Sequence, residues 1–483
     1  MTTALTAPHT APAADTSSDA LADAERWARL AIEAPRYTSY PTAVEMSPAF
    51  GADGTAAALR QANEQAADAL SLYVHLPFCQ ALCWFCGCHA MVARTDDRVD
   101  RYLGAVEREL ATVAALLPDR RTASEVHFGG GSPSLLTPAQ FDRVWGALAA
   151  TFRMASGAEL SLEVDPRTVD PARMAAYRRA GVQRVSMGFQ DLDPQVQAAI
   201  GRNQSEAVSR QAFAWARQAG FTGVNVDLCY GLPAQTEAGM ERTAREVARL
   251  RPDRVALFGY AHVPAMKPLQ RRIDAAALPD VALRLRLFRV VRAVLLAEGY
   301  RAVGIDHFAL PGDALVRALD EGRLHRNFQG YTTTVTDTLL GFGLSAISDF
   351  GGALAQNQRS LAGYLAATDA GRLATERGFV RTPEDRLRGE IIRQLMCTFA
   401  LDVPALERRF ALTFADRFTR ELDELRRLGD EGLLSLSPER ITLTPAGRLL
   451  ARNVAVVFDA YRRGRPRLPV VQTGEARRFS PTI

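Results

Sequence analysis

The sequence is poor in lysine, in long apolar runs and in N-terminal basic residues, and each shortage excludes a class of protein. Lysine occurs once, at Lys267, so almost all of the 58 basic residues are arginine, and the net charge of +4 is too small to indicate nucleic-acid binding. The most apolar stretch, residues 281–296, is interrupted by four arginines, which argues against a membrane span. No basic residue precedes Arg26, so a secretory or transit peptide is not expected and the sequence predicts a cytoplasmic protein.

From residue 71 to residue 310, short apolar runs alternate with longer amphipathic stretches. The predicted strands cover residues 72–77, 125–128, 159–164, 184–189, 223–228 and 254–260. The predicted helices between them cover residues 99–117, 138–152, 171–180, 205–219 and 239–250, and a helix at 280–298 and a strand at 301–308 follow. Strands separated by helices form parallel βα units. Six such units predict an α/β fold, an incomplete TIM-type (β/α)6 barrel.

The remaining segments predict an N-terminal extension and a C-terminal domain. Residues 1–20 are rich in Ala, Thr, Pro and Ser and predict a disordered tail. We further expect a helical and extended segment over the active site (21–70), the barrel (71–310), a barrel extension and substrate-facing segment (311–381) and a mostly helical, winged-helix-like domain (382–483). The mixed charge of that last domain, without an obvious recognition helix, argues against DNA binding.

Four of the six cysteines fall within ten residues, in the pattern C-x3-C-x2-C-x-C formed by Cys79, Cys83, Cys86 and Cys88. In a cytoplasmic chain such clustering indicates metal binding rather than disulfides. A zinc site usually takes its ligands from two separated pairs, and one short loop would be strained around a single ion. Three thiolates can instead bind three irons of a cubane cluster. The fourth iron stays open for S-adenosylmethionine (SAM), which one electron would split to a 5′-deoxyadenosyl radical. A zinc knuckle remains the alternative.

Glycines and polar residues follow the predicted strands at equivalent places. The segment GGGSPS, residues 129–134, follows the second strand, and glycines without Cβ allow a ligand to approach the backbone closely. Glu163, Gln190 and Asp227 lie at three further strand ends, where barrel enzymes place their active sites. These positions predict contacts to the amino group, ribose and adenine of SAM. Asp165, before a proline, is predicted to be a helix cap.

Together these motifs resemble the oxygen-independent coproporphyrinogen III oxidases. The likeness covers residues from about 30 to the C-terminus, and the motifs occur in the order typical of that family: PRYTSYPTA, YVHLPFC, GGGSPS, EVDPR, SMGFQD, NVDLCYGLP, YAHVP, GIDHFA, HRNFQGYTT and GRLLARN. The resemblance implies that two propionates of coproporphyrinogen III are oxidatively decarboxylated to vinyl groups, giving protoporphyrinogen IX for anaerobic haem biosynthesis. It also implies a flavodoxin- or ferredoxin-type electron donor, and we expect a monomer.

The resemblance further implies roles for individual residues. Cys79, Cys83 and Cys86 match the cluster ligands, and Cys88 matches a cysteine that is not a ligand. The positions that match contacts to the cluster-bound SAM are Tyr73, Gly130, Glu163 and Ile347. The positions that match the surroundings of a second SAM are Phe85, Gly131, Ser132, Gln190, Arg202, Asp227 and Ala261.

Two questions about the substrate and the family stay open at this level. A tetraanionic substrate needs cationic anchors, and we hypothesise Arg36 and Arg326, which lie in Tyr- and Gln-rich segments outside the barrel repeats. They could equally tie those segments to the barrel.

The related haem-binding chaperone is the alternative function. It characteristically lacks the counterparts of Cys88 and of the PRYTSYP segment, and both are present here.

Overall fold

The computed structural model describes residues 24–65, 69–334, 336–462 and 482. The predicted disordered tail, residues 1–20, lies outside these residues. The chain divides into a barrel unit, Pro41–Leu278 with Thr336–Glu384, and a second unit, Met1–Tyr40 with Pro279–Val335 and Asp385–Ile483. The predicted limits of the five segments stay a prediction. None of the described helices has the length and apolar character needed to cross a membrane.

Six parallel strands form the centre of the barrel unit and lie side by side in chain order. They are β1 (Leu70–Leu76), β2 (Thr122–Gly130), β3 (Arg153–Val164), β4 (Arg184–Gln190), β5 (Gly223–Tyr230) and β6 (Arg254–Gly259). All six predicted strands are therefore confirmed, as is the incomplete (β/α)6 barrel. The alternation along β4, with Val185, Met187 and Phe189 fully buried, shows the period-2 pattern expected of such a strand.

Helices lie between and beside these strands, and several have side-chain caps at their first turns. They are α1 (Gly51–Glu64), α2 (Asp96–Ala115), α3 (Pro138–Thr151), α4 (Pro171–Arg179), α5 (Pro194–Ala199), α6 (Glu206–Ala219), α7 (Glu237–Leu250) and α8 (Leu361–Asp369). The hydroxyl of Thr137 and the side chain of Gln140 form a reciprocal capping box that starts α3. Asp170, Ser205 and Thr236 accept backbone hydrogen bonds at three other helix starts.

The sheet continues beyond β1 with four short strands that the sequence did not predict. They are β7 (Leu339–Phe342), parallel to β1, and then the antiparallel β8 (Ile347–Asp349), β9 (Ala353–Asn357) and β10 (Thr375–Val380). A bulge shifts the register between Gln356 and Asn357. It places these two neighbouring residues opposite Arg377 and Thr375, respectively. Gln356 and Arg377 therefore project to one face of the extension, and Asn357 and Thr375 project to the other.

A buried carboxyl group fixes the turn between β7 and β8. Glu109 of α2, only 3% exposed, accepts hydrogen bonds from the Gly343 backbone N–H (2.7 Å), the Tyr364 hydroxyl (2.7 Å) and the Asn357 amide (2.5 Å). Burial raises the pKa of Glu109 to about 7, although these donors oppose the shift. The group therefore changes its ionisation near neutral pH.

Stability should depend on pH through Glu109. The pKa of Glu109 is higher in the folded chain than its ordinary value of 4.5, so its stabilising contribution is full below pH 4.5 and is lost as pH rises through about 7. As pH rises from 5 to 8, we expect the free energy of unfolding of wild type to fall by about 2–3 kcal/mol relative to that of Glu109→Gln. The check is the pH dependence of the apparent melting temperature, with Glu64→Gln, on exposed α1 surface, as the control. A pH-independent difference between wild type and Glu109→Gln would contradict this.

The second unit is mostly helical, with short strand pairs. Its helices are Ala24–Arg29, Val281–Ala297, Ala314–Asp320, Val403–Phe410, Phe414–Arg417, Thr419–Asp430, Pro445–Leu449 and Ala451–Ala455, together with most of Pro383–Cys397. Its strands are Arg301–Val303, His307–Ala309, His325–Asn327, Gly330–Thr332, Ala400–Asp402, Leu434–Leu436 and Arg440–Leu443. The predicted two-stranded wing is confirmed as the pair Leu434–Leu436 and Arg440–Leu443, and a third strand, Ala400–Asp402, joins it.

Two details of the second unit bear on the sequence predictions. The predicted single strand at residues 301–308 is wrong, because Gly304 adopts a positive φ of 59° and starts a turn, so that two short antiparallel strands form instead. In the PRYTSYP segment, the Tyr37 hydroxyl donates to Asp459 (2.9 Å) and the Tyr40 hydroxyl accepts from the Ala460 N–H (2.9 Å). This segment is thus tied to the C-terminal part of its own unit.

Candidate metal and cofactor site

The cysteine loop leaves the carboxyl end of β1 and is anchored at several backbone positions. Cys79 ends a two-residue strand that pairs with Met91–Val92. The Trp84 N–H donates to the Ile200 carbonyl at 2.9 Å, and the Gln270 amide donates to the Phe85 carbonyl at 3.0 Å. All these partners belong to the barrel unit, so the fold itself positions the loop. As whole residues, Cys83 is buried, Cys79 and Cys86 are half-buried, and Cys88 is exposed.

Donors and positive charge surround the first two thiols. The Arg202 guanidinium lies 3.3 Å and the Arg167 guanidinium 3.7 Å from the Cys83 sulfur, and the Ser132 hydroxyl lies 3.5 Å from the Cys79 sulfur. Asp165 holds both arginines, at 2.7 Å for Arg167 and 3.6 Å for Arg202. It also accepts from the Arg167 backbone N–H at 3.0 Å, which confirms the predicted cap. Two guanidinium groups thus lie beside the Cys83 sulfur and one hydroxyl beside the Cys79 sulfur, contacts suited to the sulfur ligands of a metal cluster.

The thiols differ in how readily they lose a proton. A hydrogen bond from the Cys88 side chain lowers the pKa of Cys86, and the charges of Lys267 and Arg202 act in the same direction. Burial raises the pKa of Cys79 to about 11. Because metal ligation requires thiolates, binding at this loop must release the proton of Cys79.

The donor set of the loop fits an iron–sulfur cluster. Three soft thiol ligands come from one loop, and two guanidinium groups lie beside Cys83, which suits an anionic cluster. The Cys88 N–H donates to the Cys86 sulfur at 3.4 Å, so Cys88 is placed to support a ligand. Within the described ranges, no three His, Cys, Asp or Glu side chains converge closely enough to hold one metal ion.

A second group of polar residues lies on the inner face of the sheet. Glu163 accepts a hydrogen bond from the Gly130 N–H at 3.0 Å and pairs with His127 at 3.3 Å. The ring of His127 stacks on Tyr73 with centroids 5.9 Å apart, and the Tyr73 hydroxyl lies 3.0 Å from the His75 ring nitrogen Nδ1. The structure thus brings together Tyr73, Gly130 and Glu163, which the resemblance assigned to one ligand. His127 was missed by sequence reasoning.

Two carboxyl groups of this inner face have pKa values shifted in opposite directions. Burial alone would raise the pKa of Glu163, but the hydrogen bond and charge of His127 outweigh it, and the net pKa is lowered. Burial, followed by the charge of Glu163, raises the pKa of Asp227 to about 7. The Ser186 hydroxyl donates to Asp227 at 3.0 Å. At neutral pH Glu163 is therefore an ionised hydrogen-bond acceptor. Asp227 on the same face is a partly protonated carboxyl group that can donate a hydrogen bond.

The remaining predicted site residues of the barrel unit lie around the loop and strand ends. The Gly131 and Ser132 N–H groups donate to the Leu76 and Phe78 carbonyls at 2.8 Å each. Arg202 donates to the Gly188 carbonyl at 2.7 Å. The other members are Phe85 on the cysteine loop, Gln190 at the end of β4 with a positive φ of 68°, Ala261, whose carbonyl accepts from Gln270 at 3.1 Å, and Ile347 at the start of β8. The contact of Ile347 with the cluster-bound SAM stays a prediction, as do the contacts of the other residues with a second SAM.

The two predicted substrate anchors, Arg36 and Arg326, belong to the second unit. Arg326 is buried, pairs with Asp306 at 3.3 Å and lies over the Tyr331 ring at 4.7 Å. Its charge is therefore balanced within the protein. Arg36 is half-buried. Their role towards the substrate stays a prediction.

Comparison with known proteins shows a family likeness over most of the chain. Residues 73–247 match the model of the Radical SAM superfamily, and residues 382–450 match that of the HemN C-terminal domain. The oxygen-independent coproporphyrinogen III oxidase of Escherichia coli is 42% identical over 90% of this chain and 94% of its own length. That of Synechocystis is 41% identical over 88% of this chain and 92% of its own length.

A solved structure extends the likeness to three dimensions. The coproporphyrinogen III oxidase (HemN) of Escherichia coli, described as a radical SAM enzyme, superposes with a TM-score of 0.84 at 42% identity, covering 88% of this chain and 97% of that chain. The cofactors of the superfamily, a 4Fe–4S cluster and SAM, are those of this chain. The chain belongs to the radical SAM superfamily and, within it, to the family of the oxygen-independent coproporphyrinogen III oxidases.

Proposed function

We propose that this chain oxidatively decarboxylates two propionates of coproporphyrinogen III to vinyl groups and so forms protoporphyrinogen IX. The observation that carries the proposal is the three-thiol loop at the carboxyl end of β1, with Glu163 held beside Gly130 at the neighbouring strand ends. The relatives that bear the name of this activity align over nearly the whole chain. Each conversion removes from a propionate side chain one hydrogen atom, which the SAM-derived radical takes up, one CO2, and one electron, which passes to a one-electron acceptor.

The cofactors supply the difficult step and the chain's residues prepare it. Cys79, Cys83 and Cys86 would hold the cluster, which in its reduced form would supply the electron for cleavage of SAM and so the radical chemistry at the propionate β-carbon. Arg167 and Arg202 contact the Cys83 sulfur and would balance the negative charge of a cluster held there. Glu163 offers an ionised acceptor for the amino group of SAM. Asp227, partly protonated near pH 7, can donate to a ligand oxygen.

Several finer parts of the proposal rest on the resemblance and on chemistry. A second SAM would lie near Gln190, Arg202 and Asp227, and Arg36 and Arg326 would approach substrate carboxylates. The electron would come from a flavodoxin- or ferredoxin-type protein. We infer a monomer that works in the cytoplasm, since a reducing compartment keeps the thiols available for iron.

The function is tested by an anaerobic assay with the reconstituted protein, SAM, a reductant and coproporphyrinogen III. We expect 5′-deoxyadenosine, CO2 and a divinyl porphyrinogen, with two CO2 released for each completed product. Cleavage of SAM without CO2 would assign the chain to a different radical reaction. Tight haem binding without any turnover would favour the haem-binding chaperone.

A further inference from the structure

A row of residues that lie opposite one another runs across the sheet from β1 to β10 and ends at Arg377. Tyr73 of β1 lies opposite Gly341 of β7, and Gly341 lies against the backbone of Ile347, where an added Cβ would come within 2.5 Å of the Ile347 carbonyl. Ile347 pairs with Gln356, which pairs with Arg377 of β10. Residues directly opposite each other project to the same face of a sheet. Arg377 therefore shares the inner face with Tyr73 and Ile347.

The other face of the extension is covered by helices. The Asn357 amide reaches Glu109 of α2, and the Thr375 hydroxyl lies 2.8 Å from the Thr55 hydroxyl of α1. The bulge between Gln356 and Asn357 lets Thr375 take this covered face while Arg377 takes the opposite one. The guanidinium is thereby directed to the face that carries the SAM-binding residues.

The Arg377 guanidinium is fixed in place but has no acidic partner. Its Nε donates to the Gln356 side chain at 2.8 Å, and the Gln356 amide is itself held by the Ser345 carbonyl at 3.0 Å. In the part of the chain that the structure describes, its two terminal nitrogens donate no hydrogen bond and no carboxylate lies within ion-pair distance. The neighbouring Glu376 pairs instead with Arg359, at 2.5 Å.

Arg377, which is half-buried, differs in this respect from three arginines whose side chains are little exposed. Arg326 pairs with Asp306, Arg381 with Asp349 and Arg388 with Glu421. Burial, and then the charge of Arg359, lowers the pKa of Arg377, and the charge of the neighbouring Glu376 opposes this shift only in part. The two terminal nitrogens of the guanidinium lie in one rigid plane. Their N–H groups can donate to both oxygens of a single carboxylate at once.

We propose that Arg377 binds a propionate carboxylate of the porphyrinogen and so orients the macrocycle towards SAM. The proposal rests on the proposed function and deepens it by naming a substrate contact. Arg377 and Ile347 are separated by two strand spacings, about 10 Å, a distance that a tetrapyrrole can span. One carboxylate can therefore sit on Arg377 while another part of the macrocycle lies near Ile347.

The test compares Arg377→Leu with Arg372→Leu in the reconstituted holoenzyme. Arg372 is exposed beyond α8, so both variants lose one positive charge but only one alters the inner face. We expect Arg377→Leu to raise the KM for coproporphyrinogen III roughly 10- to 100-fold, the range for a charge-assisted hydrogen bond. Arg372→Leu should stay within about twofold of wild type. SAM binding and iron content should not change in either variant.

A second arm tests whether the contact is made to a carboxylate. The tetramethyl ester of coproporphyrinogen III, added as a competitor, should bind wild type and Arg377→Leu equally weakly. The ester lacks the carboxylate and the variant lacks the guanidinium, so the contact is absent in both cases. Arg377→Lys should recover part of the lost affinity. If Arg377→Leu does not fold, Arg377→Gln replaces it in the same comparison.

The outcomes separate this proposal from the proposed function. Substrate affinity of Arg377→Leu equal to that of Arg372→Leu would overturn the carboxylate contact and leave the function intact. Weakened SAM binding with normal substrate affinity would also overturn it, because Arg377 would then position the β8–β10 extension. Failure of wild type to bind or convert the porphyrinogen would remove the function and the contact together.

Discussion

Replacing Cys79, Cys83 or Cys86 singly with alanine is expected to abolish stable cluster loading and to reduce turnover by more than about 1,000-fold. The three thiols are the predicted sulfur ligands, all on one loop, and Arg167 and Arg202 lie beside that of Cys83. Loss of one ligand leaves a cluster edge open to water and oxygen. The measurement is iron and sulfide content after anaerobic reconstitution, with roughly four irons expected per wild-type chain.

The other cysteines provide matched controls for this series. Cys397 is fully buried in the second unit, so Cys397→Ala should keep the iron content of wild type. Cys88→Ala should also keep its iron, because Cys88 supports Cys86 through its N–H and side chain without being a ligand. Iron content, not activity, is the decisive readout for Cys88. Full iron in any of the first three variants would contradict the ligand assignment, as would iron loss in Cys88→Ala.

Gly131→Ala is expected to eliminate cluster loading and SAM binding almost completely. A Cβ at Gly131 would lie 2.7 Å from the Pro77 carbonyl carbon, 2.8 Å from the Phe78 oxygen and 2.9 Å from the Leu76 oxygen. All three are backbone atoms at the base of the cysteine loop, so relief of the clash must displace Cys79. We expect overpacking to destabilise the protein by about 1–3 kcal/mol and SAM affinity to fall more than about 100-fold.

Gly146→Ala is the control for Gly131→Ala. Gly146 lies inside α3, and an added Cβ would meet nothing within 4 Å. Alanine there should raise stability by up to about 1 kcal/mol and leave iron content and SAM binding unchanged. Calorimetric titration with SAM and thermal unfolding measure both effects. A Gly131→Ala protein with wild-type iron and SAM affinity would contradict the close packing described here.

The sequence predicts the six parallel strands well because short apolar or β-branched runs alternate regularly with longer amphipathic stretches. It does not predict β7 to β10, whose runs of three to six residues are too short to show a period. Their positions depend on partners far along the chain, such as Glu109 of α2 on Asn357. The turn at Gly304 was likewise hidden inside an apolar segment that favoured one continuous strand.

The functional residues also divide into those that the sequence predicts and those that only the structure reveals. Spacing alone indicates Cys79, Cys83 and Cys86, and a strand-end position indicates Glu163. His127 is one residue of an ordinary strand motif, and only the stacked Tyr73 and paired Glu163 show its place. Arg377 could not be selected in a chain with so many arginines. Its significance comes from the register of β8 to β10, which no local pattern encodes.

The central claim is that three loop thiols leave one iron of the cluster open to SAM. It is tested most directly by electron–nuclear double resonance of the reduced holoenzyme with SAM labelled by 17O in the carboxylate and 15N in the amino group. We predict hyperfine coupling of both labels to the cluster, lost when Cys79 is replaced by alanine. A cluster without coupling to either label, or a purified protein whose only metal is one zinc per chain, would contradict the claim.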